Sequence, residues 1–352
     1  MIALMLAACT GGGEKTGEEG LVRTDLGDVT TDADGFVDVP VEVTADGVSI
    51  GVYCGPYGYD TLATADAILD PGEATIFDDE DPQATAMRVG VTEDLLPMVI
   101  PVSPDLDVAA GTYLFQLYLD VSEPTTMGCQ AVERIAAPNS PATIDLNFVF
   151  VGVSEASGLD GSSGESLLED VVADVASTWE GALEIGEITY NDFSGDASTY
   201  QVIDDDQEFG SLLRTVEDGR TVTVFFVEEI RTDDAATILG LAGGPPGAAA
   251  VGGTSKSGVV VSVADFADDP MLVSRIIAHE GGHFLGLFHT SEKTGDEHDP
   301  ISDTPECTDA GDGTDACTGK GAENVMFWTG GGDSVSLSDD QAWVVQRSAA
   351  VE

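Results

Sequence analysis

The sequence predicts two folded parts: an antiparallel β-sandwich, followed by an α/β domain built on a mixed, mostly parallel sheet. The chain has 352 residues, and because a domain typically takes roughly 100–200 residues, this length predicts two domains. Residues 21–138 hold many short β-rich runs broken by Asp-Gly, Pro-Gly and Gly, a pattern typical of a sandwich. Residues 139–352 alternate strand patterns with helical patterns, which indicates α/β layering.

The predicted strands of the first part follow one another closely. Runs with high β-propensity predict strands at residues 36–43, 48–54, 84–91, 98–102 and 112–121. The turn sequences ILDPGE at 68–73 and AGTY at 110–113 resemble those of jelly-roll domains found beside bacterial secreted peptidases. The stretch AAPNSP at 136–141 is the predicted linker, because proline and small residues interrupt the strand pattern there.

The second part is predicted to begin with a strand and to end with a helix. Apolar and β-branched runs predict strands at 143–151, 185–190, 221–227 and 259–263, and helical spacing predicts helices at 165–183, 209–216, 271–285 and 337–349. Asp269 and Pro270 suit the N-cap and first turn of the third helix. Ser338 is the predicted N-cap of the last helix.

The charge balance excludes some classes of partner. The chain has 65 acidic and 12 basic residues, a net charge of −53, and nucleic-acid phosphates require Lys and Arg. The same balance argues against docking by charge on an anionic membrane. The sequence holds no apolar stretch of about 18 residues, so it predicts no transmembrane helix. The acids are spread along the chain and predict a strongly solvated surface, with calcium sites or a saline habitat as alternatives.

The first residues carry a targeting pattern. The run LMLAAC at residues 4–9, followed by TGGG, resembles a bacterial lipoprotein signal with its lipobox, although the usual positive n-region is missing. The resemblance implies that Cys9 is the lipidated first residue of the mature protein. Residues 10–20 are then a flexible tether, and the protein is extracytoplasmic and membrane-bound through the lipid alone. The alternative is an apolar terminus with a chance cysteine.

Four further cysteines predict disulfides. Cys54, Cys129, Cys307 and Cys317 are an even number, which in an exported protein indicates two bridges. Their spacing favours Cys54–Cys129 and Cys307–Cys317, although three pairings are possible. No Cys-x-x-Cys pair occurs, so we do not expect a zinc site built from these cysteines.

One segment of the third predicted helix contains the candidate metal ligands and catalytic residue. His279 and His283 are four residues apart, so they project from one helix face. Gly286 tolerates the left-handed conformation that ends a helix and turns the chain, which brings His289 back as a third ligand. Three imidazoles and an open fourth position are a ligand set of catalytic zinc. Glu280 is the predicted general base and acid, and the set predicts metal-assisted amide hydrolysis.

The complete pattern HExxHxxGxxH resembles the metzincin metalloproteases. The strings HEGGHFLGLFHT at 279–290 and SDTP at 302–305 look most like the pappalysin and cytophagalysin branch. The resemblance implies a zinc metalloendopeptidase that acts on proteins or peptides. Metzincins also have a methionine turn under the zinc; residues 324–326, Asn-Val-Met, match it, so the resemblance implies that Met326 supports the site.

The resemblance has one departure and one further implication. Several metzincins carry a tyrosine two residues after this methionine, whereas this chain has Trp328. Indole has an N–H donor but no phenol, so a transition-state contact by a tyrosine from this turn is not expected. Metzincins also bind substrate along an antiparallel edge strand. We place that strand at residues 249–254, with a flexible loop as the alternative.

The remaining polar cluster follows the third histidine. His298 is predicted to be a solvated loop residue, because three ligands already complete an open catalytic site. The nearby acids predict either a solvated loop or, with loop carbonyls, a Ca²⁺ site; they are Asp296, Asp299, Asp303, Asp309, Asp312 and Asp315.

Two other functions are kept as hypotheses. The protein could be a cell-surface binding or adhesion lipoprotein whose metal domain is structural. Glu280 speaks against this hypothesis, because structural zinc needs no base. The third hypothesis is a zinc hydrolase acting on another amide or on an ester.

Overall fold

The computed structural model describes residues 20–58, 61–79, 92–135, 142–153, 161–231, 237–264, 269–330 and 335–352. Four sequence predictions lie wholly or almost wholly outside these ranges: the lipobox with Cys9, the tether at 10–20, the strand at 84–91 and the linker at 136–141. In the described ranges, no helix combines the length and apolar character needed to cross a membrane.

The first part consists of two antiparallel sheets, as predicted. Its strands are β1 (Leu21–Thr30), β2 (Phe36–Val43), β3 (Gly47–Gly55), β4 (Leu62–Leu69), β5 (Thr75–Asp78), β6 (Thr92–Glu93), β7 (Leu96–Ile100), β8 (Gly111–Leu119) and β9 (Thr126–Ile135). One sheet has the order β1-β9-β3-β7, and the other has the order β2-β8-β4-β5 with β6 beside β4. Apolar side chains alternate along the strands, so the inner faces of both sheets form one buried core. The Cys54–Cys129 disulfide joins β3 to β9.

The second part is a mixed α/β structure. Its elements are β10 (Ala142–Phe150), α1 (Gly161–Thr178), β11 (Leu183–Asp192), α2 (Ala197–Tyr200), β12 (Val202–Ile203), α3 (Asp206–Leu213), β13 (Val222–Val227), β14 (Glu229–Arg231), β15 (Thr237–Ile238), β16 (Gly240–Ala242), β17 (Val259–Ser262), α4 (Pro270–Phe284) and α5 (Asp339–Val345). The main sheet has the order β11-β10-β13-β17-β16, and a small sheet has the order β12-β14-β15. In the main sheet only β16 is antiparallel to its neighbour.

Both faces of the main sheet are covered. Phe148, Val224 and Val261 belong to the largest core cluster, which contains apolar residues of α1 and α4. Val149 and Phe225 point the other way, into a cluster with the leucines of α3. Strands buried on both faces are apolar almost throughout, which is why β13 reads VTVFFV and β17 reads VVVS.

The predicted bounds of three helices and one predicted strand are wrong. The helix predicted at 209–216 is α3 and covers Asp206–Leu213, because Asp205 caps it and starts it earlier. α1 ends at Thr178 instead of residue 183, because a turn with Gly181 at φ +85° follows and Leu183 already begins β11. The last helix covers only Asp339–Val345 of the predicted 337–349. The predicted edge strand at 249–254 is absent, since these residues form turns; the antiparallel edge is β16, before the glycine-rich stretch.

The two parts share apolar packing. Leu21, Tyr53, Leu95 and Val132 come from the sandwich and are buried in the largest core cluster together with the second part. Conversely, Phe288 of the second part is buried in the core of the sandwich. Phe288 precedes His289, so the sandwich contacts the chain at the third predicted ligand.

Candidate metal centre

Helix α4 places the first predicted ligands in the interior. The carboxylate of Asp269 accepts a hydrogen bond of 3.0 Å from the Leu272 N–H, and Pro270 occupies the first turn, so the helix begins at a defined cap. One full turn separates His279 from His283, and these side chains are only 5% and 8% exposed. Both rings therefore face the buried side of the helix.

A glycine bend returns the chain to the same point. Gly286 has φ +108° and follows the last residues of α4, a conformation that glycine adopts without steric cost. The Leu287 N–H donates to the Gly282 carbonyl at 2.9 Å, which closes the helix end. His289 leaves this bend with its ring directed at the two helix histidines.

The three imidazole rings converge through one nitrogen each. The Nε2 atoms of His279 and His283 are 3.1 Å apart, those of His283 and His289 are 3.0 Å apart, and those of His279 and His289 are 3.2 Å apart. Within the described residues, these three side chains are the group of potential metal ligands that the structure brings together.

The opposite ring nitrogens fix the tautomers. Nδ1 of His279 faces the Val325 carbonyl at 2.7 Å, and Nδ1 of His283 faces the Leu287 carbonyl at 2.7 Å. Nδ1 of His289 faces the Glu292 carboxylate at 3.0 Å. Carbonyl and carboxylate oxygens only accept hydrogen bonds, so Nδ1 carries the proton and Nε2 carries a free lone pair in each neutral ring.

Three lone pairs at this separation suit a cation bound between them. Neutral rings of this tautomer cannot donate hydrogen bonds to one another through Nε2. Burial, followed by repulsion from His289, lowers the pKa of His279 to about 4, and burial holds the pKa of His283 well below its usual value. Protonation of these two rings therefore does not relieve the arrangement at neutral pH. Tetrahedral Zn–N bonds of about 2.0–2.1 Å place ligand nitrogens roughly 3.3 Å apart, so the residues fit zinc.

Glu280 lies beside the three histidines, and its side chain is buried. Burial raises the pKa of its carboxyl to about 8, while a hydrogen bond with the Ala242 backbone acts in the opposite direction. A carboxyl with a pKa near neutrality can both accept and release a proton. Glu280 and the three histidines line one cleft of about 560 Å³.

The methionine turn packs beneath the helix. Met326 is fully buried, and its sulfur lies so near Gly282 that a Cβ at that glycine would be only 2.4 Å away. The Met326 N–H donates to the Asn324 side chain at 2.8 Å, and the Met326 carbonyl accepts from Thr290 at 3.0 Å. The turn therefore contacts both α4 and the residue that follows His289.

Trp328 lines the cleft but cannot replace a tyrosine there. Its indole N–H donates to the Ala310 carbonyl at 3.0 Å, so this donor is already used. The Lys293 ammonium lies 5.3 Å from the centre of the Trp328 ring, a cation–π contact at the rim.

The fourth histidine and the acidic loop lie apart from the ligand group. His298 is a loop residue, as expected, but its side chain is only 17% exposed, and Nδ1 contacts the Ser291 hydroxyl at 3.1 Å. In the described ranges, the acids predicted as alternative calcium ligands form no metal-ligand group. Asp299 instead accepts a hydrogen bond from Thr304, and Asp309 pairs with Lys320 at 3.1 Å. Cys307 and Cys317 form the second disulfide of this structure.

Comparison with known proteins gives structural neighbours only. No protein-family model and no curated protein matches the chain. Archaemetzincin from Methanopyrus kandleri shares 16% identity with a TM-score of 0.32, over 59% of this chain and 88% of its own. Metalloproteinase-II from Bacteroides fragilis shares 13% identity with a TM-score of 0.35, over 60% of this chain and 55% of its own. This chain thus spans about half of the Bacteroides protein. These sequence identities and TM-scores are low and carry no functional argument, so the geometry of the site must support any function.

The structure adds residues that the sequence does not reveal. Glu292 contacts the third histidine, but it is one acid among many in its loop. The carbonyls of Val325 and Leu287 orient the other two rings, and a backbone carbonyl has no sequence signal. β16 lines the cleft although its three residues, Gly-Leu-Ala, are too short to form a recognisable strand pattern.

Proposed function

We propose that this protein is a zinc-dependent endopeptidase of metzincin type, similar to the pappalysin and cytophagalysin branch. Residues 139–352 form the peptidase domain, residues 21–138 form an accessory sandwich, and residues 1–20 form the signal and tether. The observation that carries the proposal is the convergence of three histidine Nε2 atoms beside the buried Glu280 carboxyl. His279, His283 and His289 hold the zinc, and Met326 supports them.

The residues of the chain account for the proton transfers. When bound, zinc supplies Lewis-acid chemistry: it polarises the scissile carbonyl and lowers the pKa of water in its open position. The Glu280 carboxylate takes a proton from the attacking water and later gives it to the nitrogen of the leaving amine. Burial raises the pKa of the Glu280 carboxyl, so the group can hold this proton between the two steps.

The antiparallel edge strand is the proposed substrate platform. Among the strands that the structure describes, β16 pairs with β17 alone, and Gly240, Leu241 and Ala242 line the cleft. An extended peptide placed along this edge gains main-chain hydrogen bonds as an added strand. Gly240 packs against the base: a Cβ there would lie 2.7 Å from Cγ of Glu280. The platform and the proton acceptor are therefore adjacent.

Digestion of a peptide library tests the activity. The zinc-loaded full chain should cleave internal peptide bonds, and a chelator should abolish cleavage. Glu280→Gln should keep zinc and lose about 100-fold or more in kcat/KM, because the proton acceptor is gone. Glu297→Gln removes an exposed carboxylate after the third histidine and should match the wild type. A zinc-loaded wild type that cleaves no peptide, or an active Glu280→Gln, contradicts the proposal.

We also propose that the protein is an extracytoplasmic lipoprotein anchored through Cys9. The two disulfides are consistent with an oxidising compartment. Mass spectrometry of the mature protein should find a lipid on Cys9 as the first residue. A free thiol at Cys9 in the mature chain contradicts this location.

A further inference from the structure

The third histidine differs from the other two in its outer hydrogen bond. His279 and His283 donate through Nδ1 to neutral backbone carbonyls, whereas His289 donates to the Glu292 carboxylate at 3.0 Å. The His289 side chain is 22% exposed and that of Glu292 is 37% exposed. The most exposed of the three rings is thus the one that a charged acceptor orients.

The backbone around Glu292 forms a closed turn. The Glu292 N–H donates to the Glu297 carbonyl at 2.8 Å, and the Gly295 N–H donates to the Glu292 carbonyl at 2.8 Å. Gly295 has φ +72°, and a Cβ there would lie 2.3 Å from the Thr308 carbonyl oxygen. Only glycine allows this close approach.

The Cys307–Cys317 disulfide lies next to this turn and stabilises it. Thr308 follows Cys307, which is bonded to Cys317 and is fully buried. The Cys307 N–H donates to the Ser291 hydroxyl at 2.9 Å, directly before Glu292 in the chain. The disulfide segment and the turn therefore fix the backbone position from which the Glu292 carboxylate reaches the ring of His289.

A carboxylate in this position has two effects on an imidazole ligand. It fixes the tautomer and the orientation of the ring, and it raises the basicity of the opposite nitrogen because negative charge stabilises the shared proton at Nδ1. It also brings one negative charge close to a divalent cation. The other two rings lack this effect, so the contribution is confined to the third ligand.

We propose that Glu292 is a positioning residue that strengthens zinc binding through His289. This inference rests on the proposed function, since it assumes that the three imidazoles hold zinc. Glu292 acts on the ligand and does not itself touch the reacting atoms. Loss of its charge leaves the ring with a weaker acceptor and lowers the affinity of the site for zinc.

The test is the zinc dissociation constant of the full chain, measured by competition with a chromogenic chelator. Glu292→Gln keeps an acceptor oxygen but loses the charge, and Glu292→Ala loses both. We expect the constant to rise about 10-fold for Gln and towards 100-fold for Ala, the range typical of such outer contacts. Asp296→Asn removes the same charge from an exposed position on the same turn and should stay within about twofold of the wild type.

The outcomes separate this inference from the proposed function. Thermal melts of the metal-free variants at the wild-type temperature establish that the fold is intact. If Glu292→Gln and Glu292→Ala bind zinc as tightly as the wild type, the role of Glu292 is refuted while the zinc site stands. Equal losses in Asp296→Asn and Glu292→Gln also refute it, since the effect is then a general charge effect. A wild type that binds no zinc refutes the proposed function and this inference together.

Discussion

Two glycines inside the ligand helix have a packing role. A glycine within a helix lowers helix stability by roughly 1 kcal/mol relative to alanine. Nevertheless, Gly281 and Gly282 both lie between His279 and His283 in α4. A Cβ on Gly281 would lie 2.8 Å from the Trp179 ring, and one on Gly282 would lie 2.4 Å from the Met326 sulfur. The sequence HEGGH therefore combines metal ligands with close contacts on neighbouring faces of the helix.

Gly282→Ala should disturb the methionine turn. The added methyl overlaps the Met326 sulfur, and overpacking of a full core typically costs about 1–3 kcal/mol, which exceeds the gain in helix propensity. We expect a lower free energy of unfolding in urea for the metal-free chain. The double variant with Met326→Ala should show a loss smaller than the sum of the single losses, because the methyl then has room. Strict additivity would contradict this contact.

The grouping of the three histidines could be predicted because their spacing is local. His279, Glu280 and His283 lie on one helix, and Gly286 marks the bend to the next ligand. Glu292 could not be predicted, since its position depends on a turn held by Gly295 and Thr308. Each Nδ1 partner depends on the path of the backbone, which residue spacing does not describe.

At the scale of elements, α5 is connected to the methionine turn by buried polar groups. Gln341 forms a capping box with Ser338, and its Oε1 also accepts a hydrogen bond of 2.7 Å from Asn324. Asn324 in turn accepts from the Met326 N–H. Ser338 could be predicted as a cap from sequence, whereas the second role of Gln341 required the fold. The strand at 249–254 was expected from the resemblance to metzincins, but these residues form turns and bends, and the antiparallel edge lies at β16 instead.

Asp299 should make stability depend on pH. Burial raises the pKa of its carboxyl from 3.8 to about 7, against a hydrogen bond from Thr304 that lowers the pKa. A raised folded-state pKa means that stabilisation is complete below about pH 4 and is lost as the pH rises through about 7. Asp299→Asn removes this titration.

Urea unfolding of both chains between pH 4.5 and 7.5 measures the effect. The stability of the wild type relative to Asp299→Asn should fall by up to about 1.4 kcal/mol per pH unit in this range. The comparison cancels the titration of the other acids, which both chains share. A difference that stays constant with pH would show that the Asp299 carboxyl ionises normally in the folded chain.

At the scale of the whole molecule, arginines are concentrated where the sandwich meets the α/β part. Arg23 donates to the Ala250 carbonyl, Arg134 donates to the Ser348 carbonyl at 2.6 Å, and Arg214 pairs with Asp94. The chain has only 12 basic residues, so these three arginines are a quarter of its Lys and Arg side chains. The sequence indicated two parts, but it could not reveal this joint surface, because its contacts join residues more than 100 positions apart.

Cleavage between the two parts should leave them together. A protease recognition sequence placed at 136–141 allows the chain to be cut after folding. Because Leu21, Tyr53 and Val132 are buried in a core shared with the second part, separation would expose apolar surface. We expect the two fragments to co-elute in size-exclusion chromatography and to separate only in denaturant. Separation into a soluble, active second part would instead identify the sandwich as a removable prosegment.

X-ray absorption spectroscopy of the zinc-loaded protein tests the central claim most directly, since it reports both the identity of the metal and its ligands. We expect one zinc per chain with three imidazole nitrogens at about 2.0–2.1 Å and one further light ligand. His289→Ala should reduce the imidazole count to two. A protein that takes up no zinc, or a zinc spectrum with sulfur or only carboxylate ligands, would contradict the account.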